Sequence, residues 1–122
     1  REIEASLSSI REMWPDKRLT VAFQPHLYSR TNDFYPEFAK SLNLADQVIL
    51  LDIYPAREQP IPGVTSGLIA ERLTVPFVWV TKEEFPEYVK ENVKEGIFMT
   101  VGAGDIDRFI PIFTEMFGGT DC

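Results

Sequence analysis

Apolar residues follow two different patterns along the chain, and each pattern predicts one kind of secondary structure. Spacings of three and four residues place apolar side chains on one face of a helix. Such spacings occur in five segments, so we expect five helices. They run from the N-terminus to about Met13, around Phe34 to Leu42, over Ser66 to Leu73, around Phe85 to Val93, and around Ile106 to Phe117.

Four apolar runs separate these helices and are too short to be helices themselves. They predict buried strands at Leu19 to Phe23, Gln47 to Leu51, Val75 to Val80 and Ile97 to Val101. Pro76 must lie at the start of its strand or at the edge of the sheet, because proline donates no hydrogen bond to a neighbouring strand. Strands joined by helices predict an α/β fold in which a mainly parallel sheet carries helices on both faces.

Residues near the helix ends refine these predictions. Thr31 or Asn32 is placed to cap the second helix through its side-chain oxygen. Thr81 and Glu84 match a capping box at the start of the fourth helix. Pro111 lies inside the last predicted helix and should kink it.

Composition limits the class of protein. The 122 residues are 44% hydrophobic, which suits a single domain over residues 1–122 with a continuous core. The net charge of -7 disfavours a nucleic-acid partner, and the apolar runs are too short to span a bilayer. The single cysteine, Cys122, excludes a disulfide framework within the chain and suits a cytoplasmic location. Because the chain starts at Arg1 with no signal-peptide pattern, we expect it to be part of a longer protein.

Polar residues cluster where the first predicted strand ends and the next helix begins. This first cluster, Gln24 to Thr31, holds the only histidine, His26, together with Arg30 and two hydroxyl side chains. A helix N-terminus beside an arginine suits a carboxylate or a phosphate. The alternative is a solvated turn in which Ser29 or Thr31 only caps the helix, and the residues alone leave both interpretations open.

Two further clusters follow later strands. Asp52 to Gly63 begins with a carboxylate and continues as a loop stiffened by three prolines, which suits either contact with a ligand or a rigid surface connection. Gly102 to Ile106 has two of the three glycines of a dinucleotide-binding turn. It more simply predicts a tight turn in which Asp105 is the N-cap of the last helix. The sequence contains no phosphate loop, no nucleophile elbow and no zinc-ligand spacing, so catalysis by this chain alone is not expected.

In order and spacing, the segments Phe23 to Thr31, Asp52 to Gly63 and Gly102 to Ile106 resemble the carboxy-terminal domain of the Mur ligase family. The resemblance covers nearly the whole chain, and its first segment is the most specific. It implies a Rossmann-like domain, the third of a three-domain enzyme whose N-terminal and central ATPase domains lie outside this sequence. Where many members carry an arginine after the histidine, this chain has Leu27.

The resemblance also implies an activity, namely the ATP-dependent addition of L-alanine to UDP-N-acetylmuramate in peptidoglycan precursor synthesis. ATP and Mg²⁺ would bind mainly to the central domain, and this domain would close over them and contribute the face that binds the amino acid. It would hold no metal ligand and be inactive alone. The resemblance assigns substrate binding to His26, Ser29, Arg30 and Thr31. It assigns the wall facing ATP to Asp52, Tyr54 and Glu58.

A second hypothesis comes from a different class of protein, a free-standing doubly wound binding or signalling module. A receiver domain would need an acidic pair after its first strand, where this chain has Gln24, Pro25 and His26. A flavodoxin would need a phosphate-binding loop there, which Arg30 matches only loosely. Titration with FMN or a phosphodonor would separate these possibilities.

Overall fold

The computed structural model describes residues 2–93 and 96–102, which contain four helices and four strands. These strands and helices confirm the predicted order up to the fourth strand. The fifth predicted helix, with Pro111, and most of the third polar cluster lie outside the described residues. The elements are α1 (Glu2–Met13), β1 (Leu19–Gln24), α2 (Tyr28–Leu42), β2 (Gln47–Leu51), α3 (Gly67–Ala70), β3 (Phe77–Val80), α4 (Phe85–Asn92) and β4 (Ile97–Gly102).

All four described strands are parallel, and their order across the sheet is β3-β2-β1-β4. The chain therefore adds β2 and β3 on one side of β1 and then crosses to add β4 on the other side. In open α/β sheets, ligands bind beyond the carboxyl ends of the strands, near the point where the order reverses. Here that point lies between β1 and β4.

The core has two layers because successive side chains of a strand point to opposite faces of the sheet. On one face, Val21 and Leu50 pack with residues of α1, α2 and α3, among them Leu7 and Leu42. On the other face, α4 covers the sheet, and its residues Phe85, Val89 and the following Val93 pack against Ala22, Ile49 and Leu51. The predicted α/β fold with helices on both faces is confirmed.

Strand β3 lies at one edge of the described sheet, and Pro76 directly precedes it. The backbone carbonyl of Pro76 accepts a hydrogen bond from Val48. This placement agrees with the constraint expected from proline. On the face of β3 that includes Phe77 and Trp79, both aromatic side chains remain substantially exposed, at 39% and 44%.

The two predicted helix caps have different outcomes. The capping box is confirmed, since Glu84 accepts from the Thr81 N–H at 3.0 Å and the Thr81 hydroxyl oxygen accepts from the Glu84 N–H at 3.1 Å. The predicted cap of α2 by Thr31 or Asn32 is wrong, because α2 already begins at Tyr28 and Leu27 is its N-cap residue. The extra turn places Thr31 inside the helix, where its hydroxyl donates to the Leu27 carbonyl at 2.8 Å.

Within the described part of the chain, no helix combines the length and the apolar character needed to cross a membrane.

Candidate functional site

The loops that follow β1 and β2 are hydrogen bonded to each other beyond the ends of their strands. The Tyr54 N–H donates to the Pro25 carbonyl at 2.8 Å, and the Leu27 N–H donates to the Tyr54 carbonyl at 2.9 Å. His26 and Tyr54 thereby form an isolated parallel bridge. The structure therefore joins the first two polar clusters of the sequence into one site at the carboxyl edge of the sheet.

The side chain of His26 is exposed and lies against the ring of Tyr54. The two ring centroids are 5.8 Å apart, and the ring planes differ by 17°, which is a stacked arrangement. Stacking on a ring whose backbone is also fixed limits the orientations that the imidazole can adopt. His26 is thus presented to solvent in a restricted orientation.

Leu27 has an unusual backbone conformation, with φ of 72° and ψ of 138°. A side chain with a Cβ atom rarely adopts a positive φ, and such a conformation costs about 1–3 kcal/mol. Hydrogen bonds on both sides hold it, because its N–H binds Tyr54 and its carbonyl accepts from the N–H and the hydroxyl of Thr31. Nothing in the sequence signals this strain, since leucine has no preference for such a position.

The carboxylate of Glu58 crosses from the second loop to the first turn of α2. It accepts one hydrogen bond from the Ser29 N–H at 3.0 Å and another, very short, from the Ser29 hydroxyl. The bond from the Ser29 hydroxyl is the largest of the causes that lower the pKa of Glu58 below its ordinary value. The bond from the Ser29 N–H and the charge of His26 act in the same direction. Glu58 is therefore held as a carboxylate at the N-terminus of α2.

Arg30 and Thr31 have contrasting environments. Arg30 is exposed, and its guanidinium carbon lies 5.8 Å from the centre of the Phe34 ring, one turn along α2. In the described part of the chain, no ion pair or hydrogen bond joins Arg30 to His26. Thr31 has no exposed surface. His26, Ser29, Tyr54 and Glu58 are thus brought together, Arg30 extends from the same helical turn, and Thr31 supports that turn from inside.

Asp52 lies beside this group and has a partner that the sequence analysis did not identify. The indole N–H of Trp79 donates to the Asp52 carboxylate at 2.8 Å. The backbone carbonyl of Asp52 also accepts a hydrogen bond from the buried side chain of Gln24 at 3.4 Å. Trp79 lies near the carboxyl end of β3, and parallel strands have their carboxyl ends at the same end of the sheet. This position is the sequence signal that could have identified Trp79 as a candidate site residue.

The third polar cluster begins at this edge too. Gly102 is paired with Gln24 in the register of β1 and β4, so its position is beside the first cluster. Residues 103–106 lie outside the described residues, and the turn predicted for them stays a prediction.

Residues 2–93 and 96–102 contain no group of three or more histidine, cysteine, aspartate or glutamate side chains placed to hold a metal ion. The arrangement at the carboxyl edge is suited to contacts with a polar ligand, through an exposed imidazole and an exposed guanidinium.

Comparison with known proteins identifies relatives of one kind. No family model matches the chain. The UDP-N-acetylmuramate--L-alanine ligase of Phocaeicola vulgatus is 53% identical over 112 residues, which are 90% of this chain and 24% of that protein. The proteins of the same name from Porphyromonas gingivalis W83 and Paenarthrobacter aurescens TC1 are each 48% identical, over 89% and 97% of this chain. The chain spans about a quarter of the length of these relatives.

A solved structure supports the fold independently of these sequences. It is a crystal structure of a Haemophilus ducreyi domain from a protein provisionally named UDP-N-acetylmuramate:L-alanyl-gamma-D-glutamyl-meso-diaminopimelate ligase. The TM-score is 0.63 over 94% of this chain and 81% of that chain, and the sequence identity is 17%. Nearly the whole sequence thus aligns with one part of these ligases, and the chain shares its fold with the solved ligase domain.

Proposed function

We propose that residues 1–122 form the carboxy-terminal domain of a three-domain, cytoplasmic UDP-N-acetylmuramate--L-alanine ligase. The names of the relatives and the quarter of their length that the chain spans support this proposal. They favour it over a free-standing flavodoxin-like or receiver-like module. The complete enzyme would add L-alanine to UDP-N-acetylmuramate during peptidoglycan precursor synthesis, at the expense of ATP.

The residues of the carboxyl edge fit the binding of a carboxylate better than the binding of a triphosphate. His26 and Arg30 are exposed groups that can bear positive charge, whereas Asp52 and Glu58 are acidic and already accept hydrogen bonds from Trp79 and Ser29. Acidic side chains repel phosphates. We therefore assign the ATP phosphates and Mg²⁺ to the central domain, with no catalytic step by this chain alone. Asp52, Tyr54 and Glu58 would form part of the wall that faces the nucleotide.

In this proposal, His26 and Arg30 bind the amino acid or the carboxylate of the sugar, while Ser29 and Thr31 maintain the turn that carries Arg30. The observation that carries the proposal is the exposure of His26, stacked on Tyr54, within four residues of the exposed Arg30 at the carboxyl edge. A guanidinium can bind a carboxylate through two parallel hydrogen bonds. The domain would thus position the alanine for attack on the activated carboxylate.

Replacement of Arg30 tests this role in the complete ligase. Arg30→Ala should raise the KM for L-alanine by roughly 10- to 100-fold, the equivalent of a lost charge-assisted hydrogen bond. The KM for ATP should change far less. Steady-state kinetics with each substrate varied in turn would measure both values.

Lys40→Ala provides the matched control, because Lys40 is an exposed cation in the last turn of the same helix. It should leave both KM values unchanged. Equal increases in the two KM values for Arg30→Ala would contradict a role in binding the amino acid.

A further inference from the structure

The first turn of α2 lacks a cap from its own sequence. The first amides of a helix have no partner within the helix, and a serine, threonine, aspartate or asparagine at the N-cap usually accepts from one of them. In α2 the N-cap is Leu27, whose side chain can accept no hydrogen bond. The hydroxyl of Thr31 donates back to the Leu27 carbonyl, so it does not serve these amides.

Glu58 supplies the missing acceptor from a distant part of the chain. Its carboxylate binds both the N–H and the hydroxyl of Ser29, the second residue of α2. A tight turn directs it there, since the Glu58 N–H donates to the Pro55 carbonyl at 2.9 Å and Ala56 adopts a positive φ of 54°. Glu58 thus performs across 29 residues of sequence what an N-cap side chain performs locally.

The turn that Glu58 holds is the one that presents the proposed amino-acid-binding residues. Arg30 directly follows Ser29, and His26 directly precedes the N-cap residue Leu27. Leu27 is strained, so this segment needs several contacts to keep its conformation. The Tyr54 bonds fix the segment before the helix, and the Glu58 bonds fix the first turn of the helix.

We propose that Glu58 is a positioning residue for the amino-acid-binding face, acting through Ser29 on the turn that carries Arg30, and that it does not bind the nucleotide. This inference rests on the proposed function and changes one part of it, because it moves Glu58 from the nucleotide wall to the support of α2. Asp52 and Tyr54 keep their proposed places in that wall.

A double-mutant cycle in the complete ligase tests the inference. Glu58→Ala should raise the KM for L-alanine by about fivefold, which corresponds to the loss of one helix cap. Ser29→Ala should raise it less, because residue 29 keeps its backbone N–H as a donor to Glu58. The double variant should be no worse than Glu58→Ala, because the loss of the Glu58 carboxylate already removes the bond to the Ser29 hydroxyl. The KM for ATP and kcat should stay within about twofold of the parent values, as expected for loss of substrate positioning alone.

Two further variants provide controls. Glu58→Gln should recover most of the alanine affinity, since its amide oxygen can still accept from the Ser29 N–H. Glu37→Ala removes an exposed glutamate from the middle of α2 and should leave all constants unchanged. An increase in the KM for ATP that persists when Ser29 is already alanine would show that Glu58 contacts the nucleotide, and would overturn the proposal.

Hydrogen exchange gives a reading that does not depend on ligation. The Ser29 amide should exchange about fivefold faster in Glu58→Ala than in the parent, by the same loss of one cap. It should be little affected in Glu37→Ala. Unchanged exchange at Ser29 would overturn the proposal even if the kinetics agreed with it. If the parent protein ligates no alanine, the proposed function fails, while the exchange result still decides whether Glu58 holds the turn.

Discussion

The two ends of the sheet are built differently, although each uses a carboxylate to join neighbouring segments. At the amino end, Asp46 accepts from the Leu19 N–H at 2.7 Å and from the Arg11 guanidinium at 2.8 Å, and its own N–H donates to the Leu19 carbonyl. At the carboxyl end, Glu58 accepts from the N–H and the hydroxyl of Ser29, beside a strained Leu27 and the exposed His26.

The amino end of the sheet is thus held by paired charges, whereas the carboxyl end leaves polar side chains exposed to solvent. The amino end pairs opposite charges, and the Arg18 carbonyl accepts from the Ile97 N–H, so the starts of β1, β2 and β4 are tied together. At the carboxyl end, hydrogen bonds also join the loops, but the side chains of His26 and Arg30 remain exposed. We infer that the amino end mainly provides stability, while strain and exposure at the carboxyl end serve ligand binding.

Two glycines with similar backbones should show the largest contrast between the ends. Gly96, before β4, has a φ of 88°, and an added Cβ atom would overlap the Arg18 carbonyl oxygen and lie 3.0 Å from its carbon. Gly63, in the loop after β2, has a φ of 82° and nothing within 4 Å of such an atom. Gly96→Ala should lower the free energy of unfolding by about 3 kcal/mol or more, because strain and overlap add.

Gly63→Ala is the control and should cost only about 1 kcal/mol, from the positive φ alone. Urea unfolding followed by circular dichroism would measure both values. Similar losses for the two variants would show that the amino end can relax around an added methyl group, and the contrast between the ends would disappear.

The Asp46 contacts should produce the next largest effect. Asp46→Asn weakens the bonds to Arg11 and Leu19 and should cost about 1–2 kcal/mol, a range that allows for partial exposure of the pair. Arg11→Met is the matched variant, since it removes the charge and keeps most of the aliphatic chain. Lys40→Met, at an exposed position in the last turn of α2, should change stability little.

The Asp46 contacts should also make stability depend on pH. The hydrogen bond from Arg11 is the main cause that lowers the pKa of Asp46 below its ordinary value of 3.8. The unfolded chain therefore binds protons more readily, and the stabilisation from Asp46, present above about pH 4, is lost as the pH falls through the lower, folded pKa. Asp46→Asn should reduce this dependence between pH 5 and pH 3, compared at about equal ionic strength. An unchanged slope would contradict the assignment.

The sequence predicted the sheet and the helices well because these depend on local patterns that the chain repeats. The apolar runs of β1 and β2 are buried on both faces, and the Thr81 and Glu84 box operates within four residues. The start of α2 was misplaced for a physical reason. Thr31 resembles a cap in sequence, but the helix is extended by a turn whose acceptor, Glu58, lies far along the chain.

The candidate site was predicted in outline and not in its contacts. The predicted strand ends placed His26, Asp52 and Tyr54 at one end of the sheet, because the carboxyl ends of parallel strands lie together. The spacing of apolar residues does not indicate that His26 stacks on Tyr54 or that Trp79 donates to Asp52. These contacts depend on the relative placement of whole strands, which a single sequence does not encode locally.

Leu27 should show the smallest effect and the most specific one. Alanine and glycine both remove the leucine side chain, but only glycine relieves the positive φ. At most positions alanine is the more stable of the two, by roughly 0.5–1 kcal/mol. At position 27 we expect the reverse order, with Leu27→Gly more stable than Leu27→Ala by about 1 kcal/mol in urea unfolding. Gly63→Ala gives the reference cost of a positive φ at a position where nothing lies within 4 Å of the added Cβ atom. A Leu27→Ala variant more stable than Leu27→Gly would show that the strain at this turn is relieved in solution. The carboxyl end would then contain no backbone strain that could serve ligand binding.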